Sequence, residues 1–145
     1  MLAVLQRVRE ARVEVHHETV GSIGPGLLIL CGFEPNDNVL NLQQMLSKCI
    51  NYRIFSDTEH KMNQSLKDIQ GALLLVPQFT LMADTKKGLR PSFSKAAPPQ
   101  QGKALFEHLI TLAQEQHPHV QQGIFGADMQ VHLCNDGPVT FLMQF

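Results

Sequence analysis

Charge is scarce in this 145-residue chain: 17% of its residues are Asp, Glu, Lys or Arg, and 12 basic side chains nearly balance 13 acidic ones. That balance excludes a uniformly basic nucleic-acid wrapper, and 43% apolar residues exclude disorder. Any anionic partner must therefore meet a local patch. Cysteine is also rare. Cys31, Cys49 and Cys134 are odd in number, widely spaced and set among apolar neighbours, a pattern expected of reduced core thiols rather than a disulfide frame or a zinc cluster. No window approaches the roughly 20 apolar residues of a membrane span. The apolar run from Met1 to Leu5 passes straight into Gln6, Arg7 and Arg9, too short a run for a signal peptide. A cytoplasmic protein with no membrane partner is expected. Several catalytic signatures are missing as well: there is no Gly-x-Ser-x-Gly elbow, no His-Glu-x-x-His helix and no carboxylate pair at helical spacing. The histidines lack a metal-ligand pattern, so neither a metal nor a cofactor is expected.

The length fits one domain, residues 1–145, burying roughly 68–70% of the surface its unfolded form exposes. Leu2 to Val8 and Ala11 to Val15 alternate closely enough to predict strands, and His16-His17 beside Glu18 predicts a turn. Gly24-Pro25-Gly26 between Thr19–Ile23 and Leu27–Phe33 predicts a tight antiparallel reversal. Asn36, Asp37 and Asn38 offer N-caps for a helix carrying Val39, Leu42, Met45, Leu46, Cys49 and Ile50. Arg53 to Phe55 predicts a short strand, and Ala72 to Val76 a fully buried one that Pro77 must end or place on an edge. Leu105, Phe106, Leu109, Ile110, Leu112 and Ala113 mark a second amphipathic helix. It precedes strands at Met129–Leu133 and Val139–Phe145, joined by Asn135-Asp136-Gly137-Pro138. The pattern predicts an α+β domain of mainly antiparallel sheets, or a barrel-like β core, with two principal helices.

The connection from Gln78 to Pro98 is long enough to suggest function. The stretch from Asp84 to Lys103, which runs past its end, has five basic residues against one acid, so the near-neutral total conceals a basic loop. Two polar turns embedded in apolar strands, Pro77-Gln78-Phe79-Thr80-Leu81 and Asn135-Asp136-Gly137-Pro138-Val139-Thr140, could present backbone groups. These two segments resemble the signature motifs of the D-aminoacyl-tRNA deacylases, also called D-tyrosyl-tRNA deacylases. Four further fragments match in order and spacing: Gln6-Arg7-Val8, Asn51-Tyr52-Arg53-Ile54-Phe55, Lys87 to Phe93, and Phe125-Gly126-Ala127-Asp128-Met129. The likeness spans the chain. One position departs from it, since the family has serine before Gln78 where this chain has Pro77, which lacks a hydroxyl and an N–H.

The resemblance implies hydrolysis of the ester joining a D-amino acid to the terminal adenosine of tRNA, with glycine mischarged on tRNA-Ala as a further substrate. It implies a catalytic segment at Gln78, Phe79 and Thr80, in which the backbone N–H groups of Phe79 and Thr80 would stabilise the oxyanion. Chiral selection would fall to a cis Gly137-Pro138 reaching into the partner subunit of a homodimer, braced by Arg7. Phe125 and Met129 would line an adenine pocket. Charge alone adds Lys86, Lys87, Arg90 and Lys95 as contacts to tRNA phosphates, and no DNA partner is expected. Two other readings stand beside this one. The first is an aminoacyl-tRNA or small-ligand binding module whose activity is weakened by Pro77. The second is a metal-dependent hydrolase using His117 and His119.

Overall fold

The computed structural model describes residues 1–86 and 88–145. Its longest early element is β1 (Leu2–Val15), which pairs along one edge with β2 (Glu18–Ile23) and β3 (Gly26–Gly32), placed end to end. The reversal lies at His16-His17, with φ of 52° and 65°, the positive values that a two-residue hairpin turn with matching twist requires. Gly24-Pro25 is therefore not the turn the sequence predicts. Val8 faces Gly26 and Ala11 faces Ile23, so the Gly-Pro pair is only a break in one long antiparallel ladder. Proline brings no N–H to a ladder, which is why it fits a break as readily as a turn.

The opposite edge of β1 takes β8 (Gln130–Gln144), a single 15-residue strand where two strands and a turn were expected. Gly137-Pro138, a cis peptide, lies in an excursion within that strand. Thr140 faces Gln6 and Asn135 faces Val8, so Asp136 to Val139 stand opposite Arg7 alone. A second irregularity leaves Arg9 unpaired between Val8 and Glu10. Before it, odd-numbered Ala3 and Leu5 join one core and even-numbered Val8 the other; beyond it the odd positions Ala11 and Val13 have changed face and join Val8.

Two pairs in the sheet are parallel. β6 (Ala72–Pro77) lies beside β3, and β7 (Val120–Gln122) beside β6. Parallel neighbours need crossovers, and the helices supply them: α1 (Val39–Asn51) lies between β3 and β6, and α2 (Pro99–Gln116) between β6 and β7. A small hairpin of β4 (Phe55–Ser56) and β5 (Met62–Gln64) follows α1. Asn38 caps α1 with a reciprocal capping box. Asp37 instead holds the Met1 ammonium at 2.8 Å. Leu42, Met45, Leu46, Cys49 and Ile50 bury one face of α1, each Leu or Ile contributing about 1.5–3 kcal/mol. Phe106, Leu109 and Ala113 of α2 meet the same core.

The other core lies inside the curl of the sheet, where Leu28, Leu74 and Val76 meet Val13 and Ile23. There β2 leans back over β6 and β7. A Cβ on Gly21 would stand 2.7 Å from the Gln122 carbonyl oxygen, so only glycine allows this near closure. The result is an α+β fold with a mixed, barrel-like sheet. Cys31 and Cys49 are buried as expected, but Cys134 is exposed, because it lies on the outward face of β8.

Candidate active site

The residues from Gln78 to Met82 follow directly from the buried end of β6. Pro77 is the last residue of β6 and pairs with Cys31, and the Gln78 N–H donates to the Cys31 carbonyl at 2.8 Å. The chain then turns into a short 3-10 helix, Phe79–Met82, whose own bonds begin with Leu81 N–H to the Gln78 carbonyl at 3.3 Å. The first N–H groups of a helix have no acceptor inside it. Among the described residues none stands against the N–H of Phe79 or of Thr80. Two adjacent main-chain donors are thus left free on an exposed turn anchored to a rigid strand.

Side chains reinforce that turn. The Gln78 Nε2 donates to Thr80 Oγ1, so the threonine hydroxyl is matched with an amide and not with a base. Phe79 is 56% exposed and packs edge-on against Phe93, with ring centroids 5.0 Å apart. The Phe93 contact was not anticipated from sequence. Phe93 is delivered by a fold-back of the basic loop, pinned where Asp84 and Ser92 exchange backbone hydrogen bonds of 2.7 and 3.2 Å. Asp84 also accepts the Lys86 N–H at 3.0 Å and pairs with Lys95 at 3.4 Å. These contacts hold its carboxyl below the usual value of 3.8, with the Lys86 N–H as the larger cause. Lys86 and Arg90 are exposed, Lys95 is partly engaged by Asp84, and Lys87 lies outside the described residues.

Two cavities flank Phe79. The larger, about 600 Å³, is apolar and lined by Phe79, Phe93, Ala97, Pro98 and Phe125. The Phe125 ring rests on α2 at Gly102, where a Cβ would come within 3.1 Å of it. The smaller, about 240 Å³, is lined by Gln78, Phe79, Ala127, Met129 and Val131. The Met129 Sδ accepts the Ile124 N–H at 3.4 Å. Phe125 and Met129 therefore line different cavities, which share Pro77, Phe79 and Gly126. A third groove, about 610 Å³, crosses β1, β2 and β8 beside Arg12 and His132 and contains neither signature motif.

The Gly-Pro excursion forms a separate structure. The Arg7 side chain, 11% exposed, donates from Nε to the Asp136 carbonyl at 2.9 Å and from Nη1 to the Ile54 carbonyl at 2.6 Å. It also lies 3.4 Å from the Asp136 carboxylate. The brace thus grips the residue before Gly137. Gly137 has a φ of 135°, and a Cβ there would meet Val139 Cγ2 at 2.8 Å and Arg7 Nη2 at 3.1 Å, so no other residue fits without displacement. Within one chain the two motifs are apart. Pro77 is level with Ala3 and the excursion with Arg7, and three strand spacings separate β6 from β8. Strand geometry then puts them on the order of 20 Å from each other.

The histidines take other places. His117 is buried, with Nε2 at 2.7 Å from the Gly71 carbonyl, and its ring meets that of His119 edge-on at 6.4 Å. Among the described residues no three His, Cys, Asp or Glu side chains are grouped to hold a metal.

Comparison with known proteins gives this arrangement a family. The family model described as D-Tyr-tRNA(Tyr) deacylase matches residues 4–144. A D-aminoacyl-tRNA deacylase of Legionella pneumophila (strain Lens) is 69% identical over 145 residues, covering all of both chains. One from Pseudomonas paraeruginosa is 64% identical over 144 residues, 99% of each. A solved structure titled c-Myc DNA Unwinding Element Binding Protein superposes with a TM-score of 0.95 at 36% identity, covering 100% of this chain and 99% of that one. A probable eukaryotic D-amino acid tRNA deacylase shares the fold at a TM-score of 0.83 and 19% identity, over 98% of this chain and 97% of that one. With its residues matched almost from end to end, this chain belongs to the D-Tyr-tRNA(Tyr) deacylase family.

Proposed function

We propose that this protein is a D-aminoacyl-tRNA deacylase whose site is built mainly from main-chain atoms. The carrying observation is the pair of unpartnered N–H groups at Phe79 and Thr80, set between two cavities. An aminoacyl ester is already activated, so the protein needs only to hold the carbonyl, stabilise the oxyanion and refuse the wrong enantiomer. Water attacks the ester carbonyl carbon, helped by the neighbouring ribose hydroxyl. The ester carbonyl oxygen becomes the oxyanion and takes hydrogen bonds from the two N–H groups, each worth about 3–4 kcal/mol in the transition state. Collapse breaks the bond to the ribose oxygen, which takes up the proton given up by the attacking water, and releases free amino acid and tRNA. Thr80, bonded to an amide, positions the turn rather than attacking.

Selection by hand follows from Gly137-Pro138. A wall of main chain yields less than a rotatable side chain, and Arg7 stiffens this one. Since the excursion and the Phe79 turn are on the order of 20 Å apart in one chain, the wall for each site comes from a second copy. Two features support that pairing: the free outer edge of β8 among the described residues, and an apolar row of Leu142, Val4 and Leu30 across the sheet, with Leu142 68% exposed. The terminal adenine sits where the two cavities meet, at Phe79 and Gly126, with Phe125 to one side and Met129 to the other, and Lys86, Lys87, Arg90 and Lys95 meet acceptor-stem phosphates. Glycyl-tRNA, which has no side chain to exclude, is accepted by the same wall. The protein works as one domain in the cytoplasm.

Purified protein incubated with matched D- and L-aminoacyl-tRNAs, with and without chelator, tests this. Release from the D form only, unchanged by chelator, is the expected result. Binding without release would make it the ligand-binding module, with Pro77 at the junction of the cavities as the cause. Inhibition by chelator would favour the histidine-metal reading.

A further inference from the structure

Gln6 and Arg7 are neighbours in β1, so their side chains leave opposite faces of the strand. On the face away from Arg7's contacts, the Gln6 Oε1 accepts from Asn135 Nδ2 at 2.7 Å and from Thr140 Oγ1 at 3.4 Å. Asn135 and Thr140 are the residues at which β8 pairs with β1 on either side of the excursion, and Asp136 to Val139 between them have no β1 partner in the ladder. One amide oxygen therefore ties both feet of the Gly-Pro excursion together. Arg7 grips its Asp136 carbonyl from the other side.

We propose that Gln6 is a positioning residue for chiral selection, stapling the base of the Gly137-Pro138 wall so that it does not yield to an L side chain. This rests on the reading of that dipeptide as the chiral wall. A wall made of unpaired backbone is only as stiff as its restraints, and Gln6 supplies the pair that Arg7 does not. Its amide touches neither substrate nor the reacting atoms.

The test compares Gln6→Ala and Gln6→Glu with the parent in two measurements: the ratio of kcat/KM for L- to D-aminoacyl-tRNA, and the NMR order parameter of the Gly137 amide. Gln6→Ala is expected to raise the ratio about tenfold, as loss of two ordinary hydrogen bonds allows, and to lower the order parameter from about 0.85 toward 0.6. Gln6→Glu keeps the accepting oxygens and restores both values. A Gly137 amide that stays rigid in Gln6→Ala would overturn the staple. An amide that loosens while the ratio holds would show that the dipeptide is not the chiral wall, and the role proposed for Gln6 would fall with it. Should Gln6→Ala fail to fold, Asn135→Ala removes the shorter bond from the other side and is judged by the same two results.

Discussion

Replacing Arg7 by alanine perturbs the excursion most directly. The change removes donors from two carbonyls, those of Asp136 and Ile54, in a side chain only 11% exposed. Hydrogen bonds from a charged donor are worth about 1.5–3 kcal/mol each. The Asp136 carboxylate is 39% exposed, so its pairing with Arg7 adds little in water. Water can partly replace the lost donors, which places the loss near the lower end, about 3 kcal/mol. In a chain of this size 1 kcal/mol moves the melting temperature by about 2–4 °C, so Arg7→Ala should melt about 6–12 °C lower. Arg7→Lys offers one compact donor in place of a planar fork and should recover less than half of that. Circular dichroism melts, run beside D and L hydrolysis, measure both consequences, and the L-to-D ratio should rise in each variant. A melting temperature within about 2 °C of the parent, with an unchanged ratio, would refute the claim that Arg7 holds the dipeptide.

Three further outcomes follow from the same geometry. Thr80→Ala should keep most D-specific activity, whereas Gly137→Val should lose nearly all of it, because a Cβ there meets Val139 Cγ2 at 2.8 Å; equal loss in single-turnover assays would point to covalent threonine catalysis. A thiol reagent should label Cys134 alone in the folded protein, since burial pushes the Cys49 thiol up to about 12 and raises Cys31 further; fast labelling of either buried thiol, read by mass spectrometry, would contradict that packing. Asp84 should titrate below 3.8, and because its folded value is lowered, its hold on the basic loop is complete above 3.8 and lost as pH falls through the lower value. A carboxyl NMR midpoint at or above 3.8 would count against the Lys86 and Lys95 contacts.

The parts of this fold legible in the sequence are those fixed by local pattern. Helix α1 shows its Asn38 cap and its buried stripe, and the run from Ala72 to Val76 reads as a buried strand because both its faces are covered. Gly24-Pro25 and Gly137-Pro138 misled because glycine and proline signal a turn and a ladder break alike, and only the distant partner β1 decides between them. The parallel pairing of β3 with β6 has no local mark. In the site, resemblance located Gln78 to Thr80 and Gly137-Pro138. It also pointed to the Phe79 and Thr80 N–H groups as oxyanion donors, but that both stand without an acceptor depends on backbone conformation after β6, which sequence does not encode. Phe93 and Gln6 were missed as contacts, since each meets its partner through a fold-back or a register that spacing does not encode.

The account depends on one subunit's Phe79 and Thr80 donors working against the other's Gly137-Pro138, and subunit mixing tests this most directly. Phe79→Pro removes one donor at the first position of a short helix, where proline is tolerated, and Gly137→Val blocks the wall. Each variant alone should be inactive toward D-aminoacyl-tRNA. Unfolded and refolded together in equal amounts, half of the two-fold dimers are mixed and each regains one intact site, so about a quarter of parental activity should return. Activity that stays at the level of the separate variants, with mixed dimers demonstrably present, would contradict a site shared between subunits.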